Sequence, residues 1–320
     1  MNTPIINPFI DYYDMLGAAK QIISAQNLGF IYSIFAYGSA GRFEIMPESS
    51  DLDLIAVLKD KTTFDKNGML SINSLISYIT ATNYHIPVSI HVWDYDELSA
   101  RTSENEGTEL TFSLSRFRDS IPLYGKFYDH KFIDFFDSAH NNANIISNDC
   151  WLRLSKIRYD IRRLVHSTHT NKVHASDLGR AVSKQMNKTA ETICYLEGHY
   201  PRNSADAIHQ ADAISKVDIF ETMTSGIKDN RNIAIAFELL SWLDSKIEYY
   251  FSELKHNETK VVNSLNSVIT KAKTLKSFAP ASDNKNEFFA IMHDKGISDT
   301  DTINGMHAIM CKNKLSFKLM

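Results

Sequence analysis

The chain has 320 residues, of which 43% are hydrophobic and 22% charged, with only 12 Gly and 7 Pro, so fibrous and disordered classes are excluded and a sizeable core is affordable. A formal charge of −4 argues against a surface that grips nucleic acid everywhere, while leaving a local basic cleft open. The opening residues lack the basic and apolar regions of a secretory signal, and no uninterrupted apolar stretch reaches ~18 residues, so a cytoplasmic protein with no membrane partner is expected. Three widely spaced cysteines, Cys150, Cys194 and Cys311, read as reduced thiols.

In chain order, residues 8 to 27 read as a helix. Phe30 to Tyr37 is a β-branched and aromatic run ending at Gly38-Ser39, which predicts a buried strand and a turn. Leu52 to Leu58 is a second strand, residues 69 to 82 a helix, Pro87 to Trp93 a third strand, and Ile121 to Tyr124 a fourth. Beyond about residue 130 only helical periodicity remains, placing the boundary between Gly125 and Asp149. Leu178, Val182, Met186, Thr189, Ile193 and Leu196 recur at three and four and give one buried face, with Gly198 and Pro201 as the stop. Residues 231 to 254 repeat the pattern from Ile233 to Leu254, and residues 279 to 286 read as a surface loop.

The chemistry concentrates in residues 34 to 58. One strand delivers Gly38 and Ser39 into a turn; the next opens with Asp51 and Asp53, which share a face because strand side chains alternate. Should the two strands be neighbours, the carboxylates face a turn free of bulky side chains. Backbone amides there can meet phosphate oxygens while the carboxylates hold divalent ions bridging to the same phosphates. Each fragment alone is commonly just a capped turn or an edge strand.

The run Gly38 to Leu54, G-S-x-G-R-x-E-x-x-P-x-S-S-D-x-D-L, resembles the nucleotidyltransferase superfamily that includes DNA polymerase beta. Within it the run is most similar to the PII uridylyltransferase and glutamine synthetase adenylyltransferase branch, with Ile121 to Gly125 resembling the strand that closes the catalytic domain. The resemblance implies an α+β nucleotidyltransferase domain with a mixed sheet over residues 1–128, and an all-α helical-bundle domain for substrate or partner over 129–320. It implies that Gly38, Ser39 and Arg42 bind phosphates and that Asp51 and Asp53 hold two Mg2+ ions. A nucleoside monophosphate would then pass from a nucleoside triphosphate, ATP favoured, to a hydroxyl of a protein or small molecule, with release of pyrophosphate. Glu44 reads more simply as a salt-bridge partner.

The family's third acid would fall on the third strand, where Ser89 stands in its place. His91, on the same face, and Asp94, on the other unless a bulge intervenes, are the candidate substitutes. Residues 151 to 200 carry nine Lys or Arg against four acids, and Arg180, Lys184 and Lys188 recur every four residues. That stripe is either a solvated face or, through Lys184 and Lys188, a triphosphate ligand. Arg162 and His169 have a spacing similar to the Arg-His motif of HEPN ribonucleases. Nucleotide loops of other classes and zinc-binding histidine spacings are missing. The alternatives are a catalytically weak nucleotide-binding regulator or toxin-antitoxin component, a second-messenger synthase, or an RNA-end nucleotidyltransferase, with nucleic acid the less favoured partner.

Overall fold

The structure, a computed structural model, describes residues 8–45, 50–59, 66–81, 86–94, 120–125, 139–170, 175–216, 233–274 and 278–318. Motif residues 46–49 and most of the expected boundary lie outside them. The chain is mixed α/β and mostly helical. In order come α1 (Pro8–Ala25), β1 (Ile31–Ala36), α2 (Ser39–Arg42), β2 (Leu52–Leu58), α3 (Lys66–Thr80), β3 (Val88–Asp94) and β4 (Ile121–Gly125). Then follow α4 (Ala143–His169), α5 (Ala175–Leu196), α6 (Ser204–Ser215), α7 (Ile233–His256) and α8 (Glu258–Lys273). The chain closes with β5 (Phe278–Pro280), α9 (Lys285–Asp294), α10 (Thr300–Lys312) and β6 (Ser316–Lys318).

Two compact units form. The first comprises residues 1–103, 115–134 and 275–320; the second comprises 104–114 and 135–274. The division after residue 134 falls within the expected window; what differs is the extent of the helical domain, because residues 275–320 group with the sheet and not with the helical bundle. Its physical reason is hydrophobic: Phe288, Met292, Ile303, Met306, Met310, Leu315 and Phe317 are buried in one core with Tyr13, Leu16, Ala40 and Phe43. Each such side chain contributes about 1.5–3 kcal/mol when buried. Residues 279–286 are likewise no free loop, since Ala279 sits in β5 and Ala281 is buried.

The four-stranded sheet runs β3-β2-β1-β4. β1 pairs antiparallel with both β2 and β4, while β2 pairs parallel with β3. The sheet is mixed, as expected. β2 is interior and reads LDLIAVL, with every residue but Asp53 buried; a strand covered on both faces has no need of polar alternation. Asp53 is the interruption that needs explaining.

Within the second unit every described element is a helix. All six apolar positions expected on α5 are buried. Of those on α7, Leu240, Leu243, Ile247 and Leu254 are buried whereas Ile233, at the first turn, is exposed. The α5 stop is as expected: Gly198 takes φ +80°, and His199 N–H donates to Cys194 O at 2.8 Å.

Candidate functional site

The antiparallel pairing of β1 with β2 makes the Gly38 turn and the two acids neighbours. Ala36 pairs with Leu54, and the next rung is Tyr37 N–H donating to Asp53 O at 3.1 Å. Gly38 then leaves the sheet at φ +72°, ψ −130°, a conformation costly for any residue with a Cβ. A Cβ placed on Gly38 would stand 3.8 Å from Asp53 Oδ2, so this carboxylate oxygen looks directly at bare backbone. Asp51, just before β2, is exposed, and Asp53 is half-buried.

The short helix α2 is set by its ends. Arg42 N–H donates to Gly38 O at 3.0 Å, Glu44 N–H to Ser39 O at 3.1 Å, and Phe43 adopts φ +56°. A bulky residue rarely accepts that conformation unless packing holds it. Here the ring of Phe43 lies 5.4 Å from Tyr13, 5.6 Å from Phe288 and 6.5 Å from Phe317, so the C-terminal segment props the turn.

Two tyrosines of α1 complete the frame. Tyr12 donates to Asp51 O at 2.9 Å, and Tyr13 donates to Ala40 O at 2.7 Å. Burial pushes both phenols well above the ordinary tyrosine range; for Tyr12 a hydrogen bond with the Ser39 side chain opposes this, while the charges of Asp53 and Asp51 reinforce it. Both phenols remain protonated donors. Neither was readable in sequence, where adjacent tyrosines on a helix signal only core.

The parallel register of β2 with β3 sets Ser89 beside Asp53, and Ser89 Oγ donates to Asp53 Oδ1 at 2.7 Å. The position expected for a third acid is therefore occupied by a hydroxyl that holds the second acid. His91 pairs with Ile55, two residues beyond Ser89 on the same face; it is exposed, with its ring 6.3 Å from that of Tyr37. Asp94 is corrected. The pairing of β3 runs without a bulge to Leu58↔Asp94, so Asp94 stands at the strand's end, about 16 Å along it from Ser89.

Arg42 is engaged by Glu44, Nε to Oε2 at 2.9 Å, and Glu44 also takes Lys295 Nζ at 3.8 Å. The expected salt-bridge role of Glu44 is present, and it draws in a lysine from just beyond α9 whose side chain is only 5% exposed. Lys184 and Lys188 lie in the second unit. Lys184 is exposed; Lys188 is half-buried, 3.8 Å from Asp160, and burial lowers its pKa, aided by repulsion from Lys184, Arg153 and Lys156. Much of the basic excess around it is locally neutralised. Arg153 pairs with Glu191 at 2.9 Å, Arg163 with Asp160 at 3.7 Å, and Arg158 and Arg162 with Asp244 at 3.2 and 3.3 Å. Arg162 and His169, singled out by spacing, line one cavity on α4.

Among the described residues no group of three His, Cys, Asp or Glu side chains could hold a metal, and no helix is long and apolar enough to cross a membrane. No protein-family model matches the chain, and no curated protein matches it.

Proposed function

We propose that the first unit binds a nucleoside triphosphate with Mg2+ at Asp51 and Asp53, and transfers its nucleoside monophosphate to a hydroxyl of a protein or small molecule. One observation carries this reading: Asp53 Oδ2 faces the Cβ-free backbone of Gly38 at the open end of two adjacent strands. Magnesium commonly binds through one or two carboxylates plus substrate phosphates, keeping waters on its other positions. Exposed Asp51 and the Asp53 oxygen not used by Ser89 suit that donor set. Such an ion supplies charge neutralisation to the phosphate oxygens.

The protein's own groups then have distinct tasks. Gly38 leaves room for a phosphate, Ser39 offers a hydroxyl, and Ser89 fixes the rotamer of Asp53. Tyr12 ties the backbone of Asp51 to α1. His91, exposed two residues past Ser89, is the remaining candidate to take the acceptor's proton as its oxygen attacks the α-phosphorus and the bond to pyrophosphate breaks.

The Ser89–Asp53 hydrogen bond favours a second reading, in which the unit binds a triphosphate without turning it over. Calorimetry with each nucleoside triphosphate and Mg2+, followed by transfer of α-phosphate label to lysate acceptors, separates the two. Binding with transfer supports the first reading, binding without transfer the second. Absence of binding by the folded protein would sink both. Asp53→Asn is expected to weaken Mg2+-dependent binding by about tenfold or more while leaving the fold intact.

A further inference from the structure

Between α4 and α7 the second unit contains a cavity of about 490 Å3 that the proposed reaction does not use. It lies within the usual size range of small-molecule sites. Residues 161, 162, 165, 166 and 169 line it from one face of α4, and residues 237, 240, 241 and 244 from one face of α7, as helical periodicity requires. Ile161, Val165, Phe237 and Leu240 make an apolar floor, with Ile161 and Leu240 fully buried. Arg162, His166 and His169 stand along the α4 rim, all exposed.

The polar groups are unequally committed. Asp244 is the carboxylate of the lining; Arg162 donates to its Oδ2 at 3.3 Å, and Arg158 Nε stands 3.2 Å from its Oδ1, an ion pair too poorly aligned to count as a hydrogen bond. Arg158 also pairs with the exposed Glu248, so the two guanidinium groups and the two carboxylates balance, and it is the spare N–H donors rather than net charge that face the cavity. Arg162 has five N–H donors and uses one of its nitrogens here, leaving donors to spare. Among the described residues no hydrogen bond or ion pair engages the imidazole of His166 or His169. Ser241 adds a hydroxyl on the facing wall. A donor-rich rim over an apolar floor is complementary to an anionic head on an apolar body; a cation would meet Arg162, and a purely apolar ligand would strip water from the rim without replacing it.

We propose that this cavity binds an organic anion, its carboxylate, phosphate or sulfonate at Arg162, His166 and His169, and its ring or chain on Ile161, Val165, Phe237 and Leu240. The site stands independently of the triphosphate reading.

The test titrates the full chain with 1-anilinonaphthalene-8-sulfonate and, in parallel, with neutral N-phenyl-1-naphthylamine, which shares the ring system and lacks the sulfonate. Fluorescence gives affinity and calorimetry gives stoichiometry. The sulfonate is expected to bind at about one per chain and about tenfold tighter than the neutral amine. Arg162→Gln, and His166→Gln with His169→Gln, should each weaken it about tenfold while leaving the affinity for the amine unchanged. Ser241→Trp, which fills the cavity from an exposed position, should abolish binding of both dyes with the melting curve unchanged. Equal affinities for the two dyes, failure of either to bind, or indifference to Arg162→Gln or Ser241→Trp would overturn the assignment.

Discussion

The acid site of the first unit and the donor-rich cavity of the second are made in opposite ways. Around Asp53 the decisive feature is backbone: a glycine at positive φ, a strand register that delivers Ser89, and a left-handed Phe43 held by rings from the chain's far end. Around Arg162 the backbone is ordinary helix, and side chains at helical spacing supply everything. Changes to the backbone frame of the first site act through folding, whereas every lining change proposed for the second costs ligand and keeps the fold.

Gly125→Ala should produce the largest effect. A Cβ there would sit 2.1 Å from Tyr32 O, a backbone atom of β1 that cannot step aside, and φ is +71°. The loss is expected to exceed about 3 kcal/mol. Amide exchange should show protection falling in β1 to β4 while α4 to α8 keep theirs; equal loss in both units would break the contrast.

Phe43→Ala follows. It removes a ring that contacts Tyr13, Phe288 and Phe317, at a cost of about 3–5 kcal/mol, softened because a smaller residue relieves part of the strain at φ +56°. Thermal melting with and without Mg2+ and nucleotide checks it, since stability and ligand binding should fall together. Retention of full binding would show that the C-terminal segment does not support the turn.

Ser89→Asp tests the acid site alone. A second carboxylate against Asp53 replaces a 2.7 Å hydrogen bond with like-charge repulsion, lowering stability without metal by about 1–2 kcal/mol. Added Mg2+ should restore it, so the metal-induced shift in melting temperature should exceed that of the natural sequence. An identical shift in the two proteins would count against a cation between these strands.

How much of this was legible follows from what sets each feature. The strands were readable because apolar runs and period-two alternation are local, and β3 keeps the register expected of a strand without a bulge. The residues 278–318 were not, because α9 and α10 have the periodicity of any bundle helix, and only long-range burial against Phe43 and Leu16 assigns them to the sheet. The hydroxyl partners of Tyr12 and Tyr13 leave no trace in a hydrophobic pattern. On α4, spacing singled out Arg162 and His169, but the floor from α7 that turns them into a cavity wall depends on helix packing.

The smallest effect is expected on the basic stripe, where the sequence left a solvated face and a phosphate ligand both open. Lys188 is held by Asp160 at 3.8 Å, yet burial and the charges of Lys184, Arg153 and Lys156 lower its pKa. A lysine whose folded pKa lies below its unfolded value destabilises the fold wherever it is charged in both states. That penalty is complete below the folded pKa and disappears as pH rises from there to the ordinary value of 10.5. Lys188→Met keeps the aliphatic packing and removes the charge, so it should raise the melting temperature near neutral pH by about 2 °C, a gain that shrinks in alkaline buffer. A fall instead would mean that the pair with Asp160 outweighs desolvation, and a loss of triphosphate binding would return Lys188 to the phosphate-ligand role.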